Sequence, residues 1–277
     1  MMDPSKHVQR DAKIPLCRQE IKEAIEQDLA GDPGILAVFY GGSIGNGDAD
    51  QYSTIDLRII VADEAFDQYW ADKQNRAGRW GNILFFKEVA HLNYSTAHYE
   101  PFVKVDIFYY RLKDILPSFW LRNIEVFYDS TGILVDIVSK SRQLTYKPSV
   151  EDIDLWRTKF FASLHEWYRG MMRSEYYYAL NCLDHLRLFM AMGWYMEAGI
   201  QPNALGDWAK IEGHRSPLQS WQLDELASWD SSRNPDHMMI VVPKVVEAFK
   251  KVHQSLCAQV GLDENRAWVE NIIRKVL

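Results

Sequence analysis

The chain has 277 residues, room for one large domain or two ordinary ones. Apolar residues make up 47% and charged residues 25%, which excludes a disordered or fibrous chain and fits a globular one. A formal charge of −7, with Lys and Arg scattered and no basic stripe, argues against DNA or RNA as the main partner and suits a neutral or cationic small molecule.

Residues 16–30 (LCRQEIKEAIEQDLA) place Leu16, Ile21, Ile25 and Leu29 at helical spacing, and GDPG at 31–34 stops that helix. ILAVFY at 35–40 is short, apolar and flanked by glycine, the pattern of a buried strand. GGSIGNGDADQYST follows as a Gly-, Asp- and Ser-rich loop that opens on a helical turn. IDLRIIVAD at 55–63 reads as a second strand, and residues 64–75 have helical composition. NILFFKEVA at 82–90 and PFVKVDIFYYRL at 101–112 read as strands three and four, with HLNYSTAHYE between them as a turn or loop. IEVFYDSTG at 124–132 supplies a fifth strand closed by a turn.

The pattern turns helical near KPSVEDID at 147–154. Leu155, Phe160, Leu164, Trp167 and Met171 recur at helical spacing, as do Leu180, Leu183, Leu186, Phe189, Met190 and Trp194. GIQPN at 199–203 breaks the run, an amphipathic segment covers about 243–260, and a short helix closes the chain. The expected architecture is α+β, with a mixed sheet and flanking helices over 1–147 and a helical bundle over 148–277.

Cys17, Cys182 and Cys257 are far apart and odd in number, so they form no disulfide framework or zinc motif, and a reduced, cytoplasmic setting is expected. No apolar run reaches the ~20 residues of a membrane span, and MMDPSKHVQRDAK lacks a secretory signal's apolar stretch.

The chemistry concentrates in one order of parts: a strand, Gly41–Gly42–Ser43, a ten-residue loop at 44–53, TIDLRIIV, and later VKVDIFYY. Asp56 and Asp106 sit inside strand-like apolar runs, where a carboxylate is costly to bury unless something pairs with it. Pointing the same way on neighbouring strands, they suit Mg²⁺, which takes one or two carboxylates plus phosphate oxygens and water. The alternation of VKVDIFYY also fits Lys104 and Asp106 facing solvent. Glycines at 41 and 42 let a phosphate approach backbone N–H groups.

GGSIGNGDADQYSTIDL resembles the signature of the nucleotidyltransferase superfamily, most of all the bacterial aminoglycoside and lincosamide adenylyltransferase type of antibiotic-resistance enzyme. That signature is Gly-Ser after a strand, a glycine- and Asp-containing loop, then Ser-Asp-x-Asp-Leu, with a third carboxylate on a later strand. The resemblance implies that Gly42 and Ser43 bind the triphosphate of ATP and that Asp56 and Asp106 are catalytic and hold Mg²⁺. It implies transfer of a nucleotide to a hydroxyl of a small-molecule acceptor. Glu88, Glu100 and Asp184 are candidate bases, Tyr176–Tyr178 are candidates to line an acceptor pocket, and His91 and His98 flank a loop near the site. The sequence departs from the pattern at Thr54, which stands in the first carboxylate's place. Asp48 or Asp50 offers partial compensation. Two readings follow: a transferase, or a nucleotide-binding or regulatory protein on the same fold whose turnover Thr54 has removed. A partner-binding module of toxin–antitoxin type is a third.

Overall fold

The computed structural model describes residues 7–88 and 94–277. Backbone contacts divide it into two compact units, Met1–Leu144 and Thr145–Leu277. No helix among the described residues is long and apolar enough to cross a membrane.

The first unit is α+β. In chain order it runs α1 (Val8–Asp11), α2 (Ile14–Leu29), β1 (Ile35–Tyr40), α3 (Gly42–Asn46), β2 (Ile55–Val61), α4 (Phe66–Ala77), β3 (Ile83–Glu88), β4 (Tyr94–Tyr99), β5 (Val103–Arg111), β6 (Glu125–Asp129) and α5 (Ile133–Gln143). The sheet order is β3-β4-β5-β2-β1-β6. Among the described strands only β2 and β5 run parallel. A parallel pair needs a crossover; here the chain passes through α4 and the β3–β4 hairpin before returning as β5.

One sheet face carries Ile55, Leu57, Ile59, Val61, Val105, Ile107 and Tyr109 against Ile21, Ile25 and Leu29 of α2 and Ala77 of α4. Burial of each such aliphatic side chain contributes roughly 2 kcal/mol. Leu16, expected on that apolar face, is instead exposed, and Ile14, one turn before Cys17, begins the buried stripe. Polar contacts tie the end of α2 and the turn after it to α4 and the segment that follows: the Trp80 indole donates to Asp28, and Arg76 pairs with Asp32.

Period two puts residues 56, 58 and 60 on the other face. Ile60 is sealed there by Ile115, Leu121, Leu134 and Ile137, while Asp56 and Arg58 remain half-buried. α5 had no counterpart in the sequence reading, although Leu134 and Ile137 are the aliphatics it buries.

HLNYSTAHYE is not a turn or loop throughout: Tyr94–Tyr99 forms β4, paired with both β3 and β5. Its run looks polar because two of its three inward positions, Ser95 and Ala97, are small, with Tyr99 the large buried one. The described part of the expected third strand is Ile83–Glu88; residues 89 and 90, like His91, lie outside the described residues.

The second unit is helical: α6 (Val150–Met172), α7 (Tyr176–Glu197), α8 (Ser220–Ser228), α9 (Pro235–Val260) and α10 (Arg266–Ile273). α6 starts on a capping box in which Ser149 and Asp152 exchange hydrogen bonds. α9 begins earlier than its amphipathic run, capped by Asn234 with Pro235 in the first turn, and it tolerates Pro243 inside. Trp156, Phe160, Leu164, Leu183, Phe189, Trp194, Phe249 and Leu256 share the core. Leu155 is exposed and Trp156 takes its expected place in the core, a shift of one residue in the buried stripe. Tyr176 packs partly against that core, while Tyr177 and Tyr178 are exposed.

Candidate functional site

β1 ends at Tyr40, and the Gly41 N–H donates to the Asp56 carbonyl at 2.9 Å, carrying the ladder one step past the strand. The chain then turns into α3 through Gly42, whose φ of +57° lies in the left-handed region that glycine enters without a side-chain clash. A Cβ on Gly42 would lie 1.7 Å from Asp56 Oδ2. Glycine here is therefore required twice, by the backbone and by the carboxylate that fills the side-chain space. Ser43, the next residue, is buried.

The loop after α3 is tied to α2. Arg18 Nη1 donates to the carbonyls of Asp50 (2.8 Å) and Ser53 (3.0 Å). The Asp50 carboxylate accepts from the Tyr52 N–H and the Ser53 hydroxyl, so it serves the loop. Asp48 is exposed.

β2 and β5 place Asp56 opposite Asp106 in parallel register. In parallel strands, register partners project to the same face, so the two predicted carboxylates are neighbours. Asp106 is held from two sides. The Thr96 hydroxyl of β4, its cross-strand partner, donates to Oδ1 at 2.7 Å, and Lys104 Nζ pairs with Oδ2 at 2.6 Å. The same face continues with aromatic rings: Tyr94 on Phe108, Phe108 on Tyr110, and His98 stacked on Phe85 at 4.1 Å. Burial, with Lys104 nearby, lowers the His98 imidazole from its ordinary value.

Of the predicted site residues, Gly42, Ser43, Asp56 and Asp106 therefore converge. Glu88 does not. It pairs across the hairpin with Ser95, one position out of phase with Thr96 and hence on the opposite face from Asp106, and it is ion-paired with Lys73 at 2.9 Å. Glu100 accepts from Asn82. Asp184 belongs to the second unit, where it pairs with Arg187 at 2.5 Å. Sequence reasoning missed Thr96, Lys104 and Arg58. An Arg inside the apolar run IDLRIIV was the available signal for the last, since a strand buries a cation only with support.

Among the described residues, no group of three or more His, Cys, Asp or Glu side chains is placed to hold a metal ion by itself. Two carboxylates in register, with Lys104 already on one of them, do fit a Mg²⁺ that arrives with phosphate oxygens completing its coordination.

No protein-family model and no curated protein matches the chain. Among solved structures it is similar to a nucleotidyltransferase-like protein from Exiguobacterium sibiricum 255-15 (TM-score 0.45, 12% identity, 87% of this chain and 77% of that one). It is similar also to an aminoglycoside 6-adenyltransferase from Bacillus subtilis (TM-score 0.42, 14% identity, 92% of this chain and 97% of that one).

Proposed function

We propose that this protein is a nucleotidyltransferase that moves a nucleotide, AMP from ATP, onto a hydroxyl of a small molecule of the aminoglycoside type. The observation that carries the reading is the register of Asp56 with Asp106 beside the Gly42–Ser43 turn. Such a juxtaposition of backbone donors and paired carboxylates is the apparatus of phosphoryl chemistry, which depends on positioning and electrostatics.

In this reading the triphosphate lies on the Gly42–Ser43 turn, where the backbone comes close because residue 42 has no side chain. Asp56 and Asp106 are the residues that would hold Mg²⁺, and the chemistry it supplies there is neutralisation of phosphate charge. The acceptor oxygen attacks the α-phosphorus in line; an O–P bond forms as the bond to the β-phosphate's bridging oxygen breaks. Pyrophosphate leaves with the electron pair, and Asp106 takes the hydroxyl proton. Thr96 fixes the carboxylate for that role through its 2.7 Å hydrogen bond.

Thr54 favours a second reading, a nucleotide-binding protein that no longer turns over. Calorimetry with ATP, with and without Mg²⁺, on this protein and on Thr54→Asp, separates the two when pyrophosphate release is followed against aminoglycosides and lincosamides. Release by the protein as it stands supports the transferase. Release by Thr54→Asp alone supports the second reading. Absence of nucleotide binding in both removes the roles given to Asp56 and Asp106.

A further inference from the structure

Arg58 lies two residues after Asp56, on the same sheet face. It has an unusual environment for a cation. Its guanidinium lies 4.6 Å from the Phe108 ring centroid and 6.0 Å from that of Tyr110, and Nη1 donates to the Tyr110 hydroxyl at 2.7 Å. Neither Nε nor Nη2 has an acceptor among the described residues, and Nε is fully buried. No carboxylate among the described residues forms an ion pair with it either. A Cβ on Gly41 would stand 3.1 Å from Nε, close enough to press this side chain aside by a few tenths of an ångström.

A half-buried guanidinium without a counter-charge is costly unless a ligand supplies one. Arg58 lines a cavity of about 340 Å³ together with Tyr110, Asp114, Leu116, Trp120 and Leu121, a size in the range of small-molecule sites. Leu116 and Trp120 are 69% and 59% exposed, large apolar groups left uncovered around a cation. Asp114, the acidic member of the wall, has its carboxylate turned to the Arg111 N–H at 3.3 Å.

We propose that this cavity binds an anionic group, phosphoryl or carboxyl, carried on a flat apolar body. The planar fork of Arg58 pairs with the anion's oxygens, and Trp120 with Leu116 covers the body. The anion has two possible sources, the phosphate tail of a nucleotide or an acid group on a separate molecule. The inference stands apart from nucleotidyl transfer, because neither Asp56 nor Asp106 lines the cavity.

The test is binding of phenyl phosphate and benzoate to the full chain, followed by ligand-observed NMR, with benzyl alcohol as the uncharged control. The wild type is expected to bind both anions and not the alcohol. Arg58→Met, which keeps the stem on Phe108 and removes the charge, is expected to weaken binding at least about tenfold, with Arg58→Lys intermediate. Trp120→Ala changes an exposed side chain and is expected to weaken phenyl phosphate more than inorganic phosphate; this holds the test open if Arg58→Met does not fold. Displacement of phenyl phosphate by ATP identifies a nucleotide tail as the source, and simultaneous binding identifies a separate acid. Equal binding by Arg58→Met, equal binding of benzyl alcohol, or no binding of either anion by the wild type overturns the proposal. Failure of ATP to bind while phenyl phosphate binds removes the transferase reading alone.

Discussion

Gly42→Ala is the sharpest single perturbation of this site. The φ of +57° costs an alanine about 1–2 kcal/mol, offset by roughly 0.5 kcal/mol from a stiffer unfolded chain. Gly47 is the matched control. Its φ is +74°, and a Cβ there meets nothing within 4 Å. Gly47→Ala therefore carries the backbone cost alone, about 1 kcal/mol. At Gly42 the new carbon would stand 1.7 Å from Asp56 Oδ2, so the carboxylate must leave its position and the contacts that hold it. Displacing a half-buried carboxylate from its place beside the turn adds about 1–3 kcal/mol. The total for Gly42→Ala is then about 2–4 kcal/mol.

Scanning calorimetry reads both variants. At roughly 3 °C per kcal/mol for a unit of this size, Gly42→Ala lowers the melting temperature of the first unit by about 6–12 °C and Gly47→Ala by about 3 °C. The two changes also differ in function: Gly42→Ala abolishes ATP binding and Gly47→Ala leaves it intact. In an Asp56→Ala background the excess cost of Gly42→Ala disappears, because the clash has lost its partner. Equal costs at the two glycines, or an excess that survives Asp56→Ala, would refute the close approach of Asp56 to the turn.

Other parts of the chain give independent tests. Thr96→Val removes the hydroxyl that donates to Asp106 while keeping the shape; nucleotide binding is expected to persist and pyrophosphate release to fall about tenfold or more in steady-state assays. Mg²⁺ titrated without nucleotide is expected to give no calorimetric signal in the protein as it stands, and a measurable one in Thr54→Asp with Lys104→Met, where a carboxylate is gained and the competing ammonium lost. His253, enclosed by Trp156 and Phe249 with Arg157 close by, is pushed down to about 4 by burial. Its unfolded value is near 6.5, so the unfolded chain takes up the proton first, and stability present above pH 6.5 is lost as pH falls towards 4. The loss approaches roughly 3 kcal/mol and is absent in His253→Phe, as urea titrations across that window check. Gly193→Ala puts a methyl 2.8 Å from Trp156 and 2.9 Å from Val252; overpacking by about 1–3 kcal/mol outweighs the gain in helix propensity, seen as a lower urea midpoint.

The strands legible in the sequence are those that carry aliphatic or aromatic runs: ILAVFY, IDLRIIV, NILFFKEVA, VKVDIFYY and IEVFYDSTG. β4 was hidden because YSTAHY buries small residues and turns Tyr94, Thr96 and His98 to the site face, so it lacks the hydrophobic signal of a core strand. The buried stripes of α2 and α6 were each misplaced at one residue, Leu16 and Leu155, where leucine is tolerated on a surface. Asp56 and Asp106 were legible as costly carboxylates in apolar runs. Their register was not, because nothing local fixes how a strand at 55–61 aligns with one at 103–111 across a long crossover. Thr96 and Lys104 became site residues only through that alignment, one as cross-strand neighbour and one as strand neighbour of Asp106.

That alignment also changes how the loss at position 54 is understood. A site built on three carboxylates concentrates negative charge and draws a free divalent cation. Here Thr54 is neutral where the proposed family pattern has a carboxylate, and Lys104 pairs with Asp106 at 2.6 Å. Arg58 adds a second cation on the same face, stacked on Phe108 and held by Tyr110. Among the described residues, Lys104 and Arg58 thus offset much of the negative charge of Asp56 and Asp106 across this face, without Arg58 being ion-paired to either. A face so offset repels a polyphosphate far less than a triply acidic one, and attracts a bare metal ion far less. On the proposed nucleotidyl transfer, the expected order of assembly is phosphate at the Gly42–Ser43 turn first, with a cation entering beside it. Lys104 must then release Asp106, a movement open to a partly exposed lysine on a flexible stem. Substitution at position 54 and the ammonium at position 104 are thus one electrostatic arrangement, and restoring aspartate at 54 without removing Lys104 recovers only part of the metal affinity.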